Sequence, residues 1–427
     1  MSDALRVGAA EVDITPPIGT PMCGGIKPRA SEGIEDPLTA KALVLEAGGQ
    51  RLAYVLLDLC ALERSTGDAA VALASKRTGI PPQNILWAAS HTHTGPYVIP
   101  FFGEGPSVVN ADWLATLPGK FADAVEAASK RLRPAALSRT RGYCNNLGHN
   151  RRLRYKDGRE INTWLLHCGE HDVQCLGAAG PVDPEVGILC FDGDDGRPIA
   201  VLWHFTLHTN TNFGKRFSAD YPAVVAARLR ERFGPDVISL YMPGACADIN
   251  TIVRGHRAVG DILSDVILAR LTARKPLPGP VALAAIKEDF TAEWRDLEPD
   301  QDPRIRSSQW PAAAGDAFRK EVEIMRCMDR RSDRTVLQAW RIGDTGFASL
   351  PGELFVEYGL RIKEKSPFPW TYPLELGGDY IGYMVTPQAW KAGGYESLIC
   401  RSARPSVDAV EAMVDRTIAM LGKLWRP

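Results

Sequence analysis

A mixed α/β body of layered sheets flanked by helices is the fold class this sequence predicts, and two observations lead there. Apolar, β-branched runs end abruptly in polar or glycine-rich turns, as strands buried on both faces do. Amphipathic stretches with apolar residues three and four apart lie between and after them, which is the helical period. The strand-like runs are 51–59 (RLAYVLLDL), 84–89 (NILWAA), 199–207 (IAVLWHFTL) and 237–242 (VISLYM). The helical stretches are 112–132, 221–232, 257–273, 316–331, 353–365 and 407–425. The last sets Val407, Val410, Val414, Ile418, Leu421 and Leu424 on one stripe. Residues 335–342 and 347–350 read as a β-hairpin around Gly343, Asp344, Thr345 and Gly346. Strands alternating with helices give the layered α/β class. The polar, aperiodic segment 293–313 reads as a long excursion, either the wall of a cleft or a plain surface loop.

Composition narrows the function. The 427 residues carry 50 Lys and Arg against 51 Asp and Glu, a formal charge of −1. That balance argues against nucleic acid or a membrane surface held by charge as a partner. At roughly 100 to 200 residues per domain the length allows several units, but no repeat or low-complexity tract divides it, and one catalytic-size domain over 1–427 is expected. The opening MSDALRVGAAEVDITPP holds no apolar run of a secretory leader, and no stretch approaches the roughly 18 apolar residues of a membrane span, so a soluble, cytoplasmic protein is expected. Nine cysteines, an odd number without a CxxC pair, fit reduced thiols.

Four segments carry side chains suited to chemistry. In Ser90-His91-Thr92-His93-Thr94-Gly95-Pro96 two imidazoles follow a buried run, and their spacing puts both on one face where strand geometry persists. Neutral imidazoles at a strand end suit zinc, while two hydrogen-bonded structural histidines fit the run equally well. His208 stands at the polar exit of the third run, whereas His204 is embedded in it and reads as a core histidine with a hydrogen-bond partner. Leu350-Pro351-Gly352-Glu353 is expected to put a carboxylate in the first turn of a helix, where it either offsets the helix dipole or serves as an anionic ligand. In 377–396, Tyr380, Tyr383 and Tyr395 lie among glycines that let the backbone approach a ligand; they read as phenol donors or as aromatic packing.

Taken in this order the segments resemble the neutral/alkaline ceramidase family, in its N-terminal catalytic domain. The resemblance runs from Val7-Gly8-Ala9-Ala10-Glu11-Val12-Asp13-Ile14-Thr15-Pro16-Pro17 to Tyr395-Glu396, and the HTHTGP run at His91 is its most specific part. It implies a zinc ion on His91, His208, Glu353 and Tyr383. It implies that His93 meets the substrate carbonyl or its oxyanion, with Arg151 (chosen over Arg152) and Tyr395 as further active-site residues. The stretch in which the family carries a serine reads Gly244-Ala245-Cys246-Ala247-Asp248-Ile249-Asn250-Thr251 here, which puts Asn250 in the serine's place. Cys246 lacks the partners of a nucleophile, and Asp248 is expected to orient a zinc ligand. The resemblance covers the catalytic domain, and the family's C-terminal β-domain is not expected here.

The resemblance thus implies a zinc hydrolase that uses metal-activated water on an amide bond. With neither the family's leader nor its β-domain expected, a smaller soluble amide is the expected substrate and ceramide itself is not. The serine's replacement leaves open an ester, lactone or carbohydrate-derived bond, or a metal-binding protein that has lost catalysis. His93 and Tyr395 are the two candidate acids for the leaving group.

Overall fold

A computed structural model describes residues 4–102, 104–163, 174–297 and 312–426. His167, Cys168, His171 and most of the excursion at 293–313 lie outside the described residues. The fold class is as expected, α/β with several sheets flanked by helices.

The largest sheet has eight strands: β1 (Arg6–Asp13), β2 (Thr39–Ala47), β3 (Gln50–Leu57), β4 (Ile85–Ala89), β5 (Arg133–Tyr143), β6 (Glu185–Gly193), β7 (Pro198–Phe205) and β8 (Ile238–Pro243). Their order is β8-β7-β6-β5-β1-β2-β3-β4. The inner pairings are antiparallel, but each edge closes with a parallel pair. A parallel pair requires a crossover, and helices supply both: α1 (Arg64–Thr78) between β3 and β4, and α3 (Tyr221–Phe233) between β7 and β8. The two halves of the sheet fold toward one another. Leu43, Tyr54 and Leu86 share a core with Leu202, Tyr241 and Met242, and the Tyr54 hydroxyl donates to the Tyr241 carbonyl at 2.8 Å.

A second sheet runs β9 (Leu283–Glu293), β10 (Ser332–Ile342), β11 (Thr345–Ser349), β12 (Trp370–Leu374) in that order. Strands β10 and β11 are the expected hairpin, paired Ile342 to Thr345 around Gly343 and Asp344, with Gly343 at φ 62°. Strands β11 and β12 form a third parallel pair, bridged by α6 (Val356–Lys365).

Three helical boundaries depart from the sequence reading. The stretch 112–132 is two helices, Ala111–Leu114 and then α2 (Leu117–Lys130), because Pro118 has no N–H to continue the first. Helix α5 (Ala312–Arg326) stops early because β10 begins at Ser332 and pairs along its whole length with β9. Helix α6 starts at Val356, so Glu353 is not in its first turn; Glu353–Leu354 is instead a two-residue strand. The other helices, α3, α4 (His256–Thr272) and α7 (Val407–Leu424), lie within a residue or so of expectation.

Candidate metal centre

The three parallel pairs of the two larger sheets aim their carboxyl ends at one cavity, the position where open α/β sheets bind ligands. His91 lies just beyond β4, His208 beyond β7 and Glu353 beyond β11, so residues far apart in sequence meet in space. His91 Nε2 is 3.0 Å from His208 Nε2 and 3.4 Å from Glu353 Oε2. All three side chains are buried, at 3%, 0% and 3% exposure. Such a set can hold a metal ion.

Backbone carbonyls orient both rings. His91 Nδ1–H donates to the Cys60 carbonyl at 2.7 Å, and His208 Nδ1–H to the Cys246 carbonyl at 3.1 Å. Those bonds leave each Nε2 facing the cavity. Asp248, expected to orient a ligand, does not touch either ring; its carboxyl accepts from Asn150 Nδ2 (2.6 Å) and the Val356 amide (2.9 Å). The strand geometry at His91 also fails to persist. Strand β4 ends at Ala89 and His91 turns to φ 66°, a conformation that disfavours side chains, so His93 reaches the same cavity through a turn. Its Nε2 lies 3.4 Å from His91 Nε2, and its Nδ1–H donates to the Gly24 carbonyl at 3.2 Å.

A cation fits this arrangement. Glu353 Oε2 is buried without a hydrogen-bond partner, a costly state for a carboxylate unless positive charge stands beside it. The titration directions agree. Burial works against the charged form of His91, yet the Glu353 carboxylate outweighs it and lifts the imidazole to about 9. Burial likewise opposes the Glu353 carboxylate, but His91 and the Tyr380 and Tyr383 phenols hold its pKa below the usual range. His208 and His93 are pushed down, by burial first and then by the charge on His91. The site thus favours a single positive charge.

The remaining expected residues line the same cavity of about 340 Å³, with Ile26, Phe101, Phe102, Phe213, Asn210 and Tyr380. Tyr383 is the in-register partner of Glu353 on a second short strand. Arg151 reaches the cavity, donating to the Tyr383 hydroxyl (3.2 Å), Asn250 Oδ1 (3.4 Å) and Glu396 Oε1 (2.8 Å). Arg152 turns away into a buried ion pair with Glu160 and Glu396. The Tyr395 ring lies edge-on to Tyr383 at 5.6 Å, and Asn250 also accepts from Asn210 Nδ2 at 3.3 Å. His204 sits within β7, buried, its Nε2–H on the Pro373 carbonyl at 2.8 Å. The Cys246 thiol, bonded to Glu375 Oε1 at 2.9 Å, is raised well above its ordinary pKa by burial and that carboxyl, which does not suit a nucleophile.

Tyr380, one of the three tyrosines that the sequence offers as phenol donors, donates to Glu353 Oε1 at 2.7 Å. Two further contributors carry little or no signal in the sequence. Glu396 binds both arginines, and the pair Tyr395-Glu396 was its only sequence signal. Cys60, with His91 and His93, forms a second group able to hold a metal.

Fold and site together define an α/β protein with a candidate metal centre at the carboxyl ends of its parallel strands. Its sequence is similar to that of the neutral ceramidase of Pseudomonas aeruginosa, 28% identical over 226 residues. That match spans 48% of this chain and 31% of the relative's length. No family model matches the chain. The crystal structure of neutral ceramidase from Pseudomonas aeruginosa superposes over 99% of this chain and 75% of its own at a TM-score of 0.73 and 18% identity. A ceramidase complexed with C2 superposes over the same shares at 0.74 and 17%. The resemblance carried by the motifs is thus matched by homology to neutral ceramidase and by a shared fold.

Proposed function

We propose that this chain is a zinc-dependent hydrolase cleaving an amide bond in a small soluble substrate. The observation that carries the reading is the convergence of His91 Nε2, His208 Nε2 and Glu353 Oε2, with both Nδ1 atoms committed to carbonyls and the Glu353 oxygen left without a hydrogen bond. Tyr383, beside Glu353, is the fourth ligand. Zinc supplies a polarised carbonyl and a bound water whose pKa falls toward about 7.

The chain's own residues perform the remaining tasks. The Arg151 guanidinium and the Tyr395 phenol supply hydrogen bonds to an oxyanion in a water-poor cavity. Asn250, which accepts from Arg151 on the same cavity wall, contacts the substrate where the family carries a serine. His93 or Tyr395 protonates the leaving group. These separate by varying that group: the variant of the true acid, among His93→Ala and Tyr395→Phe, loses most activity on amides with basic leaving groups. The apolar wall of Ile26, Phe101 and Phe102 suits an acyl or aryl part, and the cavity volume falls in the range of about 300 to 1,000 Å³ that takes one small molecule.

Metal analysis of the wild-type protein and of His91→Ala, with a panel of amides, esters, lactones and glycosides, tests the reading. Zinc in the wild type, its loss in the variant and amide turnover are expected. Turnover of glycosides alone defeats the amidase claim, and full metal retention by His91→Ala defeats the ligand set. Zinc bound without turnover of any panel member leaves a binding protein.

A further inference from the structure

Each of the three parallel pairs in the two larger sheets contributes two groups to the centre, one from each strand end. The ends of β4, β7 and β11 deliver His91, His208 and Glu353. The partner ends of β3 and β8 deliver the carbonyls of Cys60 and Cys246, which hold the two imidazoles. The sixth end, that of β12, delivers Glu375.

Glu375 is fully buried, at 0% exposure. Its Oε2 accepts the amide N–H of Cys246 and the amide N–H of Leu354, each at 3.0 Å, and its Oε1 accepts the Cys246 thiol at 2.9 Å. Cys246 is the residue whose carbonyl orients His208, and Leu354 directly follows Glu353. One carboxyl group therefore ties together the segment behind a histidine and the segment that carries the acidic ligand. These segments belong to different sheets; among the described residues no strand ladder joins β8 to β11, and beside the carboxyl one main-chain bond, from the Ala247 amide to the Leu354 carbonyl at 3.1 Å, links them. Burying a carboxyl is expensive unless its oxygens are used, and the oxygens of Glu375 are used on these two segments.

We propose that Glu375 is a positioning residue of the metal centre, fixing the separation of His208 and Glu353 through the Cys246 and Leu354 amides. The inference rests on the metal reading above. Residues that hold ligands in place typically set metal affinity by about 10- to 100-fold.

The test measures zinc affinity by competition with a chromophoric chelator, and melting temperature, for the wild type and for Glu375→Ala, Glu375→Asp and Glu375→Gln. Glutamine keeps one oxygen for both amide N–H groups and turns its NH2 to the thiol sulfur, so its zinc affinity stays within about threefold of wild type. Aspartate is one methylene short and alanine has no acceptor; both weaken zinc binding by about 10- to 100-fold. Wild-type affinity in a folded Ala or Asp variant overturns the proposal. So does a Gln variant as weak as Ala, since charge and not acceptor geometry then matters. Failure of both Ala and Asp to fold while Gln folds also overturns it, because the residue then serves the fold alone. A wild type that binds no zinc sinks the metal reading itself, and is thereby told apart from these results.

Discussion

At the scale of single residues, the two adjacent arginines carry different work and their variants should diverge. Arg151 faces the cavity while Arg152 is enclosed by Glu160, Glu396 and the carbonyls of Ala389 and Gly393. Arg151→Lys keeps a charge beside Glu396 but loses the fork that spans Tyr383 and Asn250. Turnover should fall by about 100-fold or more with only a small change in melting temperature. Arg152→Ala takes from each of two buried carboxylates, Glu160 and Glu396, one of its two arginines and should cost about 3–5 kcal/mol in denaturant unfolding. The shared partner adds a pH dependence. Burial opposes the charge on Glu396, but Arg151 and then Arg152 outweigh it and hold the carboxyl at about 2, below its ordinary 4.5. A depressed folded-state pKa stabilises the fold above the unfolded value, and that stability is lost as pH falls from about 4.5 toward 2. Glu396→Gln should flatten this part of the acid unfolding curve. A curve unchanged by the substitution would show that the triad is not what acid breaks.

The candidate ligands stand out in the sequence as motifs, because HTHTGP and the tyrosine-rich glycine stretch are local. The partners that orient them were not, since a backbone carbonyl such as that of Cys60 or Cys246 leaves no signature in residue type. Asp248 drew attention as an orienting group because a carboxylate is visible in the sequence, and the structure gives that task to main-chain oxygens.

At the scale of elements, loops just outside the strands set the site. The segment linking Pro21–Met22 to Arg29–Ala30 passes over His93, and Gly24 there adopts φ +94° with His93 on its far side. A Cβ on Gly24 would come within 2.4 Å of the His93 Cβ. Gly24→Ala should displace His93 and reduce turnover while leaving the metal content intact. Equal loss of metal and activity would mean that this loop supports the ligands as well. The short strands carry comparable weight. Pairing of Glu353–Leu354 with Tyr383–Met384 puts carboxylate and phenol side by side, yet two residues are too few for any periodicity to reveal. That is why Glu353 reads as helical from sequence: α6 follows at once with a clear apolar stripe.

At the scale of the whole molecule, the two parallel edges of the large sheet are the legible part. All four strand runs read from the sequence are β3, β4, β7 and β8, which are buried on nearly every residue and therefore continuously apolar. Strands β5 and β9 passed unnoticed because they are half-exposed and interleave charged residues, among them Arg139 and Arg141 on β5 and Lys287 and Glu288 on β9. Helix α1 was missed because its buried residues are small, Gly67, Ala70, Val71 and Ala74, where Gly67 sits against the Trp87 ring and leaves no room for a larger side chain. What no single segment could reveal is that the sheet folds back so that its two edges meet, which is what puts His91 beside His208. No helix among the described residues is long and apolar enough to cross a membrane. A metal at the meeting point would clamp three βαβ units from two sheets. Chelation should therefore lower the melting temperature, and zinc at about 1,000 times its Kd should restore about 4 kcal/mol of stability. Calorimetry with and without chelator reads this directly, and an unchanged transition would mean that the centre is not a clamp.

The coordination shell of the metal itself is the most direct measurement. Two overlapping donor groups share His91, one completed by His208 and Glu353 and the other by Cys60 and His93. X-ray absorption spectroscopy of the zinc-loaded protein distinguishes them, since nitrogen and oxygen ligands lie at about 2.0–2.2 Å and thiolate sulfur at about 2.3 Å. The account predicts one zinc per chain with a nitrogen and oxygen shell containing two imidazoles and no sulfur. A sulfur scatterer from Cys60, or a protein that takes up no zinc, would contradict it.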